Sequence, residues 1–281
     1  MRHDTFTIAG RAVHRLGFGA MSLTGPGVWG PPKDRDACVR VLRRAVELGV
    51  EFIDTADSYG PYVSEEIIRE ALHPYPEHVV IATKAGFVRT GPGEWHPVGR
   101  PAYLRQEVEM SLRRLGVDRL DLLQLHRIDP EVPLEDQVGE LKALQDEGKI
   151  AEIGLSEVTV ADLERARRVA PIATVQNRYN LTLRGSEDVL EHCEAQGLGF
   201  IAYTPIAKGR LAAPGGPVDH VAEAAGATPA QVSLAWLLAH SPVLITIPGT
   251  SSVAHLEENM GAARVSLTGG QLAELTEAAA R

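Results

Sequence analysis

Eight short apolar runs alternate with longer amphipathic ones along almost the whole of this chain, and that rhythm restricts its architecture more than any other feature. The runs are Leu16 to Gly19, Phe52 to Asp54, Val79 to Thr83, Leu120 to Leu125, Ile150 to Leu155, Ala173 to Gln176, Gly199 to Tyr203 and Leu244 to Ile247. Each is nearly continuously apolar, the pattern of parallel strands covered on both faces. Between them, Asp34 to Leu48, Tyr103 to Leu115, Leu134 to Glu147 and Ser186 to Gln196 show helical periodicity. Gly49, Gly116, Gly148 and Gly197 follow these helices, where a left-handed residue ends a helix. Thr159 and Ser186 sit where N-caps belong. Strand then helix, repeated eight times, predicts an α/β chain folded as a (β/α)8 TIM barrel, with reactive groups at the C-terminal strand ends.

Before the first run, Phe6-Thr7-Ile8 and Ala12-Val13-His14 flank Ala9-Gly10-Arg11, which predicts a β-hairpin under the barrel. Val253 to Ala263 and Gly270 to Ala280 predict two extra C-terminal helices. A length of 281 residues suits one such barrel, and with no linker or low-complexity block, residues 1–281 read as one domain. Gly86 to Pro101 reads as a structureless loop, and Thr24 to Pro32 as a second, both over the barrel mouth.

Composition removes several classes of function. A net charge of -9 argues against nucleic acid and anionic membrane as partners. Cys38 and Cys193 stand alone, as two free thiols in a reducing compartment would. The ten histidines are scattered without ligand spacing, so no metal is expected. Met1 to Phe6 has no apolar signal region. The uncharged stretch from Thr228 to Leu256 is broken at His240-Ser241-Pro242 and Pro248-Gly249, too soon for a membrane span. The expectation is a cytoplasmic protein, monomeric or a small homo-oligomer.

Four polar residues close or follow the apolar runs: Asp54 and, five residues on, Tyr59; Lys84; and His126. Singly, Asp54 and Lys84 read as a rim ion pair, Tyr59 as a packing phenol and His126 as a satisfied rim histidine. Together on neighbouring strand ends they read as a proton-transfer site. A phenol with a pKa near 10 must fall by roughly 2–3 units to approach neutrality. An ammonium about 4 Å away, at an effective dielectric near 20, supplies roughly that energy. Lys84 is therefore expected to acidify Tyr59, with Asp54 holding the ammonium and His126 orienting a carbonyl beside the hydroxyl.

The segments Phe52-Ile53-Asp54-Thr55-Ala56-Asp57-Ser58-Tyr59-Gly60, Ser64-Glu65, Thr83-Lys84 and Leu120-Asp121-Leu122-Leu123-Gln124-Leu125-His126 resemble the aldo-keto reductases. The resemblance runs from about Leu16 to Ala262. It implies NADP(H)-dependent carbonyl reduction with Tyr59 as acid, Lys84 and Asp54 as tuners and His126 as orienter. Gly25 to Pro32 and Ile247 to Leu256 look closest to the pyridoxal reductase branch. There is no GxGxxG after a strand, so a Rossmann site is excluded. Ser156 and Gln176 are placed to face the nicotinamide carboxamide and Tyr203 to stack on the ring. Gly19, closing the first run, and Met21, just past it, complete that end. Glu157 stands where relatives have asparagine, and when ionised it accepts but does not donate.

Lys208 and Arg210 are the candidate phosphate contacts. Gly249-Thr250-Ser251-Ser252 precedes a helix whose free N–H groups favour an anion. On that helix His255, Glu258 and Asn259 match the family's adenosine-ribose motif. NADP(H) is expected ahead of NAD(H), although the lysine and arginine that many relatives use for a 2′-phosphate correspond here to Gly249 and His255. Trp29 and Trp95 fall on the mouth loops, where an aromatic aldehyde such as pyridoxal would stack. Two rivals stand beside a reductase: an NADP(H)-binding regulatory subunit on the same barrel, and an aldolase or isomerase with Lys84 as Schiff-base amine. The Asp54 partner disfavours the last, because a stabilised ammonium is a poor nucleophile.

Overall fold

The computed structural model describes residues 5–212 and 218–279. Its centre is an eight-stranded parallel sheet formed by β3 (Phe18–Gly19), β4 (Phe52–Asp54), β5 (Val80–Ala85), β8 (Leu120–Leu125), β9 (Ile150–Ser156), β10 (Ile172–Arg178), β11 (Gly199–Tyr203) and β12 (Leu244–Thr246) in that spatial order. The ends of the order meet. Gly17 N–H donates to Thr246 O at 2.9 Å, Thr246 N–H to Arg15 O at 2.8 Å, and Gly19 N–H to Pro248 O at 3.2 Å. A closed sheet has no free edge to satisfy, which is why the shortest strands can lie at the seam. Gly19 is required there: a Cβ would lie 2.7 Å from Ile247 O.

The outer layer is α1 (Arg35–Glu47), α2 (Val63–Leu72), α3 (Pro101–Leu115), α4 (Leu134–Asp146), α5 (Val160–Arg167), α6 (Glu187–Gln196), α7 (Asp219–Ala225), α8 (Pro229–His240) and α9 (Val253–Met260), with α10 (Gly269–Ala279) last. Apolar faces of these helices pack on the outward strand residues in one continuous core. Inward residues Phe52, Val80, Leu122, Ile201 and Ile245 fill the lumen. The hairpin of β1 (Thr5–Ile8) and β2 (Arg11–His14) closes its floor, with Ile8 and Val13 fully buried in that same cluster. Chemistry can therefore occur only at the opposite end, where the lumen turns polar.

Several expectations need correction. The stretch from Gly86 to Pro101 is not structureless: β6 (Phe87–Val88) pairs antiparallel with β7 (His96–Pro97), and α3 begins at Pro101 itself. Ser186 precedes α6 but makes no side-chain cap; its hydroxyl accepts from Asn177 instead. Thr159 does cap, in a reciprocal box with Asp162. The helix expected over Val253 to Ala263 stops at Met260 and tightens into a 3-10 turn over Gly261–Arg264. Cys38 and Cys193 are buried and unpaired, and burial pushes the Cys193 thiol up to about 12. No helix among the described residues is long and apolar enough to cross a membrane. No group of three or more described His, Cys, Asp or Glu side chains is placed to hold a metal.

Candidate active site

A cavity of about 760 Å³ opens at the C-terminal end of the barrel, bordered by Asp54, Tyr59, His126, Ser156, Gln176 and Tyr203 among others. Asp54 ends β4, Lys84 is the fifth residue of β5, and His126 directly follows β8, so barrel register delivers all three to one level. Tyr59 comes from the tight turn after β4, whose backbone is tied to β5 through Thr55 N–H to Ala82 O and Asp57 N–H to Lys84 O.

Hydrogen-bond counting shows how the four residues divide their work. Lys84 is fully buried, and its three ammonium donors have three acceptors: Asp54 Oδ2 at 2.6 Å, Thr55 O at 2.8 Å and Tyr59 Oη at 3.4 Å. Asp54 Oδ1 accepts from Gln124 Nε2 at 3.1 Å and Gln176 Nε2 at 2.7 Å. Asp54 thus accepts three side-chain hydrogen bonds, one of them from an ammonium. The phenol oxygen accepts from the ammonium, which leaves the phenol proton to be donated elsewhere. His126 Nδ1 lies 3.2 Å from Ser58 Oγ, leaving Nε2 as its second polar atom.

The titration behaviour departs from the sequence expectation. Burial, and then the nearby Asp54 carboxylate, push the Tyr59 phenol above its ordinary range, against a smaller opposing pull from Arg127. The Lys84 ammonium reaches the phenol oxygen already paired with the Asp54 carboxylate, which offsets its acidifying field. Burial also lowers Lys84, against the support of Asp54. His126 is pushed well below the usual imidazole value by burial, then by the charges of Lys84, Arg127 and Arg89, so the ring is neutral. The site holds a protonated phenol, a neutral imidazole and a compensated ion pair.

The residues expected to bind a cofactor separate into two sets. Gly19, Met21, Ser156, Gln176, Tyr203 and Gly249 border the cavity. Gln176 spends both Nε2 donors, on Asp54 Oδ1 and Gln124 Oε1, so only its carbonyl oxygen is left for a ligand. Glu157 turns away, its carboxylate accepting from Arg178 N–H at 2.6 Å. Thr204 borders the cavity with its hydroxyl buried and without a hydrogen-bond partner, on a left-handed backbone with φ of 55°. The remaining candidates stand outside. Arg210 is exposed on a 3-10 helix over Ala207–Ala212, and the side chain of Lys208 on that helix lies outside the described residues. Ser251 and His255 are exposed, Glu258 is half-exposed and Asn259 is buried in α9; none borders the cavity. The α9 N-terminus is capped by Ser252, whose hydroxyl accepts from His255 N–H at 3.5 Å.

Trp95 is on the cavity wall and Trp29 is not; its neighbour Val28 borders the cavity instead. Both indoles face Arg89, whose guanidinium carbon lies 3.5 Å from the Trp95 ring centre and 5.8 Å from that of Trp29. Arg89, which sequence reasoning passed over, donates to five backbone carbonyls: Gly27, Val28, Ser58, Gly91 and Glu94. That fork joins both mouth loops to the Tyr59 turn. Phe87, Arg127 and Arg178 are among the cavity-wall residues that sequence reasoning did not single out. Arg127 was legible in principle, since it follows a strand end beside His126.

A family model described as the aldo/keto reductase family matches residues 15–280. The chain is 53% identical over 273 residues to an uncharacterized oxidoreductase of Schizosaccharomyces pombe (strain 972 / ATCC 24843), covering 97% of this chain and 89% of that one. It is 43% identical over 274 residues to a pyridoxine 4-dehydrogenase of Escherichia coli (strain K12), covering 95% and 96%. Among solved structures, an aldo-keto reductase from Klebsiella pneumoniae in complex with NADPH superposes with a TM-score of 0.85 at 31% identity, covering 99% of this chain and 95% of that one.

Proposed function

This chain belongs to the aldo/keto reductase family, and from that membership we propose that it is an NADP(H)-dependent oxidoreductase that reduces an aldehyde or ketone to an alcohol, with Tyr59 as the proton donor. The carrying observation is the full commitment of the Lys84 ammonium, which makes the Tyr59 oxygen an acceptor and leaves its proton for the substrate. Ser156 Oγ, the Gln176 carbonyl, the Tyr203 ring and the unpartnered Thr204 hydroxyl suit the nicotinamide end of the cofactor. Bound there, reduced nicotinamide would supply the hydride.

The substrate carbonyl oxygen would sit between the Tyr59 hydroxyl and His126 Nε2. With Nδ1 paired to Ser58 Oγ, Nε2 is the ring atom free to donate to the oxygen, and the neutral imidazole would do so without contributing charge. As negative charge develops there, Tyr59 hands over its proton and the nearby ammonium stabilises the phenolate left behind. A raised phenol pKa suits this direction, because the acid is protonated throughout the neutral range. The fully buried Nζ with three fixed acceptors disfavours the Schiff-base alternative.

The aromatic wall of Tyr59, Phe87 and Trp95, with the likeness to a pyridoxine 4-dehydrogenase, favours pyridoxal as substrate. The test is NADPH and NADH oxidation with pyridoxal and a small aldehyde panel. Aldehyde-dependent turnover that falls about 100- to 10,000-fold in Tyr59→Phe is expected. Tight NADPH binding without turnover in the native protein would mark a sensor subunit instead.

A further inference from the structure

We propose that Arg127 forms an anion subsite in the substrate end of the cavity, taking a negatively charged oxygen carried close to the reacting carbonyl. The inference rests on the proposed carbonyl reduction and names the class of aldehyde the site prefers.

Charge balance points to it first. Asp54 and Lys84 cancel, and His126 is neutral. Arg127 borders the same cavity with no carboxylate in ion-pair range among the described residues. Among the described residues its hydrogen bonds come from Nη1 alone, to His126 O and, at 3.0 Å, to Ser156 Oγ, and its guanidinium carbon lies 5.5 Å from the Phe87 ring centre. Those bonds fix the head group against the wall, and Nε and Nη2 make no hydrogen bond to a described residue. A half-used guanidinium fork on a chain of net charge -9 is a local exception, suited to two-point recognition of an oxyanion. Arg178, the other arginine of the cavity, is exposed; Glu157 accepts from its backbone N–H, and its guanidinium carbon lies 6.0 Å from the Tyr203 ring centre.

Topology assigns the anion to substrate. Arg127 follows β8, which lies four strands from β12 in either direction around the closed sheet. The β12 end leads to the Thr250–Ser252 turn and the α9 N-terminus, where cofactor phosphates are expected. Arg127 therefore stands across the barrel from that end and directly beside His126, on the carbonyl side. An aromatic aldehyde with an ionised hydroxyl on the ring atom next to its carbonyl-bearing carbon, as pyridoxal has, matches both the anion and the aromatic wall.

The test uses the full chain with NADPH and three aldehydes: pyridoxal, 4-carboxybenzaldehyde with its charge remote from the carbonyl, and uncharged pyridine-4-carbaldehyde. Arg127→Gln keeps an amide donor for Ser156 and removes the charge; Arg127→Lys keeps the charge and loses the fork. For Arg127→Gln, kcat/KM for pyridoxal should fall about 10- to 100-fold, the range of one charged hydrogen bond, with the uncharged aldehyde changed less than about threefold. Arg127→Lys should recover part of that loss. An equal fall for all three aldehydes, or a fall confined to 4-carboxybenzaldehyde, overturns the subsite. If the native protein reduces none of them with NADPH, the reductase reading itself fails.

Discussion

Replacing Asp54 by asparagine should destabilise the protein strongly at neutral pH and much less in alkali. The ion pair is buried on both sides, with Lys84 fully and Asp54 almost fully out of water, and its N–O distance is 2.6 Å. Removing one partner of such a pair costs about 3–5 kcal/mol. The structure adds a ceiling. An ammonium without a counter-charge escapes by losing its proton, which from an ordinary pKa near 10.5 costs at most about 5 kcal/mol at pH 7 and about 2 kcal/mol at pH 9. The sign follows from linkage: in Asp54→Asn the native state binds this proton less tightly than the unfolded chain, so stability rises with pH up to the ordinary lysine value. Melting should drop by roughly 6–15 °C near pH 7 and by about half that near pH 9. Lys84→Met added to Asp54→Asn should recover part of the loss, because the charge itself has gone. Differential scanning calorimetry of native, single and double variants at both pH values reads this directly. A loss independent of pH, or one under about 1 kcal/mol, would refute the counter-charge assignment.

Other consequences can be checked separately. In the direction of reduction, kcat/KM should be flat from roughly pH 6 to 9, since Tyr59 is raised and stays protonated while His126 is lowered and stays neutral; a titration near pH 7–8 would restore the acidified phenol read from sequence. Asp57 is buried, and burial, then Glu65 and Glu107, raise it well above the carboxylate range against smaller opposing pulls from Arg114 and the Ser58 hydroxyl. A raised acid contributes stability below its unfolded pKa and loses it as pH climbs through the native value, so Asp57→Asn should melt about 2–4 °C above the native protein near pH 8 and converge with it near pH 4. Arg89→Lys strips the fork from five carbonyls and should raise KM for aldehydes several-fold while lowering melting by about 5 °C; unchanged melting would show that the loops hold without it.

What the sequence revealed and what it hid divide along physical lines. The strands were legible because burial on both faces forces continuous apolar text, and three of the eight expected spans, Phe52–Asp54, Leu120–Leu125 and Gly199–Tyr203, match to the residue. The positions of Asp54, Lys84 and His126 were legible because strand ends are countable from those runs. The mouth was not. Arg89 in a loop rich in Gly and Pro reads as solvated charge, yet its acceptors come from residues 27–28, 58 and 91–94, and no local pattern encodes that meeting. Trp29 was misplaced for the same reason, since its backbone is bridged to Gly60 and its ring faces Arg89. The direction of the Tyr59 shift is not readable from sequence, because it depends on how deeply the phenol is buried and on how far Asp54 offsets the Lys84 field.

That offset changes how the proposed acid must work. An unpaired ammonium would acidify Tyr59 in the resting site, and a stabilised phenolate would hold no proton to give. The compensated pair does little to the neutral phenol but has its donor aimed at the oxygen, so its attraction is felt when the phenolate forms. The incoming alkoxide is a far stronger base than any phenolate, so transfer is downhill even from a phenol raised by burial. Directional control comes from the donor count: with three acceptors fixed on Lys84, the phenol proton is the group left to point into the cavity. A substitution that frees one ammonium donor, such as Asp54→Asn, should therefore disturb catalysis by reorienting that hydrogen bond as well as by removing charge.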